Sequence, residues 1–250
     1  MTDDAALPVG CAYVIVAPGW EVCSSAAQVE EDTVTESARQ ALVGLRDWTT
    51  LQWYVVPFLA LLFLIYVQEI RVARRTGNWD CVIAGAALFS ADFVNETING
   101  WIFALSGYSA LWLAPGPTAL RTLVGWNVEI MFMFLILGII YFKTIDEDRT
   151  VKILGLPNRW FWALAYSAVC VIVETFLNRG RLLIWDYSWW NRGGLALLPI
   201  FVFGYLWFFL AAKFAIERRT LRAKVMVPVA LFGLAVALNL VGIGVLGLNY

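Results

Sequence analysis

The chain has 250 residues, 61% of them hydrophobic and only 15% charged, with a mean hydropathy of +0.72 and a formal net charge of −1. Soluble domains run nearer 45–50% apolar and about 25% charged, so this composition excludes an ordinary soluble domain and reads as an all-α, polytopic membrane helix bundle. The basic residues are scattered over loop ends with no basic face, which argues against nucleic acid as a partner.

Histidine is absent. That removes Ser-His-Asp and Cys-His pairs, His-held haem and His-containing metal sites. Proton chemistry in this chain has to use carboxylic acids, Tyr, Lys or Cys. The four cysteines show no C-x-x-C spacing; Cys81 and Cys170 fall in apolar runs and read as core thiols. Cys11 and Cys23 share the N-terminal segment, where an oxidising compartment would allow them to pair.

Residues 1–48 read as an acidic N-terminal lead, and residues 49–250 as a six-helix transmembrane domain. Within the lead, Leu7 to Val16 is too short to span a bilayer and lacks a basic flank, so it does not read as a signal peptide. Thr35 to Asp47 reads as a short amphipathic helix lying at the surface, and the lead offers a docking element for membrane-protein partners.

Six apolar segments follow at Thr50–Ile70, Cys81–Ala104, Thr122–Phe142, Trp160–Asn178, Leu195–Ile216 and Val225–Leu248, each near the roughly 20 residues a bilayer requires. The odd-to-even loops hold twelve of the 18 Lys and Arg residues. The positive-inside rule then places both termini on the non-cytoplasmic side. The two outer loops differ from the inner ones. Ser106 to Leu120 contains Tyr108, Trp112 and an Ala-Pro-Gly-Pro turn, and Arg179 to Gly194 contains Trp185, Asp186, Tyr187, Trp189, Trp190 and Asn191. Trp and Tyr partition to the headgroup level, so the simplest reading of each is an interfacial belt.

Acids inside the apolar runs are the informative residues. Asp92, Asn95, Glu96 and Asn99 recur at i, i+3, i+4 and i+7, which puts them on one stripe of the second helix. A central Asp costs roughly 2.5–3.5 kcal/mol on insertion scales, so an intramembrane acid is a functional hypothesis by default. Counting residues from the outer boundary puts Glu96, Glu129 and Glu174, on three consecutive helices, roughly 8–12 Å deep. Asp92 lies a turn deeper, Asp186 lies in the loop above, and Asn95, Asn99, Asn127 and Asn178 share the layer. Trp101 and Trp126 fall beside it, with Trp53 and Tyr54 near the outer end of the first helix. The inner halves of the helices, including Leu198 to Phe209, read as bland packing. Clustered carboxyls in low dielectric do not all ionise, so one serves as acid beside another as base, and aromatic faces stabilise cations.

Asn95-Glu96 followed by Trp101, together with Trp126-Asn127-Val128-Glu129, resembles the small integral-membrane terpene cyclases of fungal meroterpenoid and indole-diterpene pathways. Glu174-Thr-Phe-Leu and the Trp185-Asp-Tyr-Ser-Trp189 run resemble membrane carotenoid-biosynthesis proteins. The first resemblance implies metal-free cyclisation or isomerisation of a prenyl lipid, started by protonation from an acidic residue. Those cyclases show seven helices and a late acid, whereas six helices are read here with Asn239 in the last. Glu129 or Glu174 would take the place of the second carboxylate.

The expected site is therefore Glu96, Glu129 and Glu174 as catalytic groups. Asp92, Asn95, Asn99, Trp101, Trp126, Asn127, Asn178, Trp185 and Asp186 line the substrate, a membrane lipid or prenyl-type molecule. No cofactor is expected; Mg²⁺ or another hard divalent cation on the Asp92–Asn99 stripe is the alternative. A carboxylate-lined transporter or proton-coupled carrier, or an accessory subunit of a larger membrane complex, remain as other readings of the same residues.

Overall fold

A computed structural model describes residues 33–116 and 120–250. The expectations for residues 1–32, including the Cys11–Cys23 pairing and the Leu7–Val16 run, lie outside the described residues.

The chain forms the expected membrane helix bundle. A short helix α1 (Glu36–Leu42) precedes α2 (Val55–Thr76) and α3 (Asp80–Ser106). A small hairpin, β1 (Arg121–Leu123) with β2 (Trp126–Asn127), leads into α4 (Val128–Thr144). A second hairpin, β3 (Lys152–Ile153) with β4 (Leu156–Pro157), leads into α5 (Asn158–Arg179). The last two helices are α6 (Gly194–Ile216) and α7 (Leu221–Val245). Among the described residues, five helices are long and apolar enough to span a membrane: α2, α3, α5, α6 and α7. The sixth, α4, has 17 residues and is about 25 Å long.

Helix α3 is the axis of the bundle. Two-thirds of its apolar window is buried inside the protein, against 11–22% for the other four spans. It packs against α2, α4, α6 and α7. Small residues make this possible. A Cβ on Gly138 of α4 would sit 2.5 Å from the Ala84 carbonyl oxygen, and one on Gly85 would sit 2.8 Å from that of Leu135. In lipid, where apolar burial drives little association, such backbone approach supplies the packing. The outer helices turn Leu64, Val169, Ile172, Phe176 and Val229 outward, all exposed, as a lipid-facing surface requires.

The third segment departs from expectation. A helix from Thr122 is replaced by a hairpin, and α4 starts only at Val128, capped by the Asn127 side chain, which accepts from Ile130 N at 2.9 Å. The cause is Gly125. A Cβ there would meet the Asn99 and Trp112 side chains at 2.7 Å, so the chain turns tightly against α3 before a helix can begin.

Two of the expected loop placements also change. The outer loops do not lie flat: Leu113 and Ile184 exchange backbone hydrogen bonds of 3.0 and 2.9 Å, zipping the loops together above the bundle. Trp112, Trp185 and Trp190 are buried beneath them, and only Trp189 and Tyr108 keep the exposed belt position. Helix α1 lies at the surface as expected, with its Ala38 and Ala41 face buried and its N-terminus bound into this roof. Its cap Thr35, with Ser37 and Ser109, donates to Asp186 Oδ2 at 2.6, 2.5 and 2.7 Å. Arg121 holds the carbonyls of Ala41 and Val43 at 2.9 Å. At the same end Arg46 donates to the Tyr250 carbonyl at 3.1 Å. The opposite end carries the ion pairs Lys143–Glu69, Arg159–Glu217, Lys213–Glu217 and Lys224–Asp80.

Candidate functional site

Beneath the zipped loops lies a cavity of about 360 Å³ enclosed by α2, α3, α4, α5 and α6. Asp92, Glu96 and Glu174 all line it, at 2%, 3% and 7% exposure. The rest of the wall is overwhelmingly apolar, and among the described residues no Lys or Arg lines it. The volume falls at the lower end of the ~300–1,000 Å³ of small-molecule sites, and apolar walls with a few convergent polar groups are their usual character. A larger furrow of about 920 Å³ between α6 and α7 holds no acid and opens outward.

Each acid is set by a different part of the fold. Asp92 and Glu96 stand one turn apart on α3. Trp126, brought in by the first hairpin, donates its indole N–H to Asp92 Oδ2 at 2.7 Å and stacks on Phe93. Trp112, brought in by the outer loop, donates to Glu96 Oε1 at 2.8 Å and stacks on Trp190. Glu174 projects from α5 toward Tyr205 and Trp185. The second oxygens, Glu96 Oε2 and Glu174 Oε2, are buried and close no hydrogen bond, and neither does the Trp185 indole nitrogen. Buried polar atoms without partners are uncommon, and these two belong to side chains that line one cavity.

Asn99 organises the roof. Its Oδ1 accepts from the backbone N–H groups of Leu111 and Trp112 at 2.8 and 3.2 Å, and its Nδ2 donates to the Trp112 carbonyl at 2.8 Å. It therefore fixes the loop that delivers the Trp112 indole to Glu96. Asn95 lines the cavity and donates to the Phe203 carbonyl at 3.2 Å. Phe203 lies in a π-helical stretch of α6, Ile200–Leu206, that follows Pro199. A side chain bonded into a helix ladder and a proline without N–H are both known causes of such widening, which recurs at functional sites. Tyr205 belongs to this stretch and faces the acids.

The geometry corrects several expectations. Glu129 does not join the cavity: it sits in the first turn of the shortened α4, partly exposed, and accepts from Tyr54 Oη at 2.8 Å. Asp92, one turn below Glu96, lines the same cavity, as expected of a substrate-lining residue. Asn127 is a helix cap, and Asn178 donates to the Leu183 carbonyl at 3.1 Å. Asp186 ties down α1, Trp53 is exposed, and Trp101 lies against Gly242 away from the acids. Asn239 bonds Thr97 at 2.6 Å. Within the i, i+3, i+4, i+7 stripe, Asn99 spends its amide oxygen on the loop N–H groups and Asn95 its amide nitrogen on the Phe203 carbonyl. Tyr205, Trp112 and Trp190 complete the lining. Of these, Tyr205 was hidden inside the stretch that reads as bland packing, although it is the lone Tyr of the apolar run Leu195–Ala212 and follows Gly204.

Comparison places this architecture among relatives. No solved structure matches the chain. A protein of Archaeoglobus fulgidus, described as an uncharacterized protein, is 38% identical over 214 residues, covering 85% of this chain and 98% of its own length. Residues 35–244, which hold every cavity residue, match the model of an uncharacterized membrane protein family, and the chain belongs to that family.

Proposed function

We propose that the protein is a membrane-embedded enzyme that acts on an apolar, unsaturated prenyl-type lipid by proton transfer from and to its cavity carboxyls. The observation that carries this reading is the pair of unpartnered oxygens, Glu96 Oε2 and Glu174 Oε2, on side chains lining an apolar and aromatic chamber. Three acids around an apolar cavity without a basic residue share protons rather than ionising together, so one donates while another accepts. Proton addition to a carbon–carbon double bond or an epoxide leaves a cation in the chamber. The faces of Trp112, Trp190 and Tyr205 stabilise that cation, and the neighbouring carboxylate removes a proton to end an isomerisation or cyclisation without net change in mass. Trp112 holds Glu96, and Trp126 holds Asp92, in position throughout.

In this reading the roof and both described ends of the chain face the non-cytoplasmic side, because the Lys- and Arg-rich loops lie at the other end. Lipid extracts of membranes with and without the protein, incubated with isoprenoid polyenes and their epoxides, test the proposal. An isomeric product that disappears with Glu96→Gln or Glu174→Gln supports it. Turnover equal to wild type in both variants removes it.

A proton-coupled carrier is the second reading. The π-helical stretches Ile200–Leu206 and Leu240–Val245, near Pro199 and at Gly242, interrupt the last two helices as carriers interrupt theirs. It requires pH-dependent flux in proteoliposomes, and the absence of flux excludes it.

A further inference from the structure

The cavity is closed at its acidic end and open sideways. Met133 and Ile140 of α4 and Val169 and Val173 of α5 line the same cavity as the buried acids, yet are 51%, 43%, 53% and 47% exposed. Val169 and Val173 lie in a membrane-spanning helix and Met133 and Ile140 in the 17-residue α4 of the same bundle, where an exposed apolar side chain meets lipid tails. Helix α5 leans on the π-helical part of α6 rather than closing against α4. The slot between α4 and α5 runs from Met133 to Ile140, about 10 Å along the helix axis.

We infer that a neutral, single-chain lipid enters this cavity laterally from the bilayer through the slot between α4 and α5, with its chain along the slot and its hydrogen-bond-donating or double-bonded end at Glu96 and Glu174. Three observations select that class. The mouth is wholly apolar, so an aqueous solute has no favourable path through it. The chamber holds three carboxyls and no Lys or Arg, so a phosphate, diphosphate or carboxylate headgroup meets only like charge there. A volume of about 360 Å³ admits one chain and not a two-chain phospholipid. The unpaired Glu96 Oε2 and Glu174 Oε2 accept from a hydroxyl. The inference rests on the cavity being the working site proposed above, but not on the chemistry performed there.

The test uses the full chain in phosphatidylcholine vesicles doped with a diazirine-bearing farnesol analogue, with adducts mapped by mass spectrometry after illumination. The expected result is adducts on α5 near Val173 and on Tyr205, with loss of the Tyr205 adduct in Met133→Trp/Val173→Trp. A Tyr205 adduct that persists in that folded double variant overturns lateral entry. So does equal labelling by the matching diphosphate analogue. If the double variant does not fold, the wild type decides: a neutral, water-soluble diazirine must leave Tyr205 unlabelled, and labelling by it overturns the route. A portal-dependent adduct in a protein that never transforms a prenyl lipid removes the acid chemistry and leaves the entry route standing. Turnover unaffected by a filled portal does the reverse.

Discussion

Asn99→Ala is the perturbation that separates a built site from an incidental cluster of acids. The Asn99 side chain is fully buried and makes three hydrogen bonds to the loop backbone, at Leu111 N, Trp112 N and Trp112 O. Truncation leaves two N–H donors and one carbonyl without the partner that satisfied them. At about 1–3 kcal/mol for each buried group left unpaired, the loss comes to about 3 kcal/mol even if one group finds water. For a chain of this size that is roughly 6–12 °C in Tm. The assay is thermal unfolding in detergent followed by tryptophan emission, with Trp112 itself reporting release of the loop. Hydrogen exchange at Leu111 and Trp112 should rise in step. A shift below about 1 °C for Asn99→Ala, or unchanged exchange at Leu111 and Trp112, would refute the assignment of Asn99 as the clamp that delivers Trp112 to Glu96.

Other perturbations test other joints. Trp126→Phe keeps the stacking on Phe93 but removes the N–H bonded to Asp92, at an expected cost of about 1–3 kcal/mol. A double-mutant cycle with Asp92→Leu should recover a coupling of about 1 kcal/mol, and a coupling near zero would sink the contact. Gly138→Ala puts a methyl group against the backbone of Ala84 and Gly85, which cannot swing aside, so overpacking of about 1–3 kcal/mol is expected, read as a lower Tm. At the far end, Asp148 accepts from Thr150 N and Oγ1 at 2.8 and 2.7 Å, and those bonds hold its carboxyl below the usual value of 3.8. A depressed carboxyl stabilises the fold above its ordinary range and loses that contribution as pH falls through its lowered value. Protection against hydrogen exchange over residues 148–153, corrected for the intrinsic rate, should therefore fall below about pH 4, and the same fall in Asp148→Asn would refute the link.

Residue spacing made some of this legible and hid the rest. The i, i+4 pair Asp92 and Glu96, and the depth match of Glu96 with Glu174, follow from helix geometry once the spans are drawn, and the structure brings these three acids into one cavity. Glu129 failed the same count because the count assumed a helix from Thr122. The Gly125-Trp126-Asn127 run carries its own turn and N-cap chemistry, which moved the helix start to Val128 and left Glu129 at its rim. Asn99 looked like a site residue because a polar group in an apolar helix needs a partner. Its partner is a loop backbone thirteen residues away, a contact that periodicity does not encode. Tyr205 sits in a run with no polar pattern, and its orientation depends on a π-helical turn that propensity does not report.

Proton transfer by a defined pair of carboxyls is the central claim, and solvent deuterium tests it most directly. Proteoliposomes holding wild type, Glu96→Gln, Glu174→Gln or Glu129→Gln are incubated in D₂O with isoprenoid polyenes, and the lipids are analysed by mass spectrometry. Deuterium should appear in an isomerised or cyclised lipid with wild type and Glu129→Gln, and be lost with Glu96→Gln and with Glu174→Gln. Deuterium incorporation at wild-type level in both cavity variants, or its loss in Glu129→Gln alone, contradicts it.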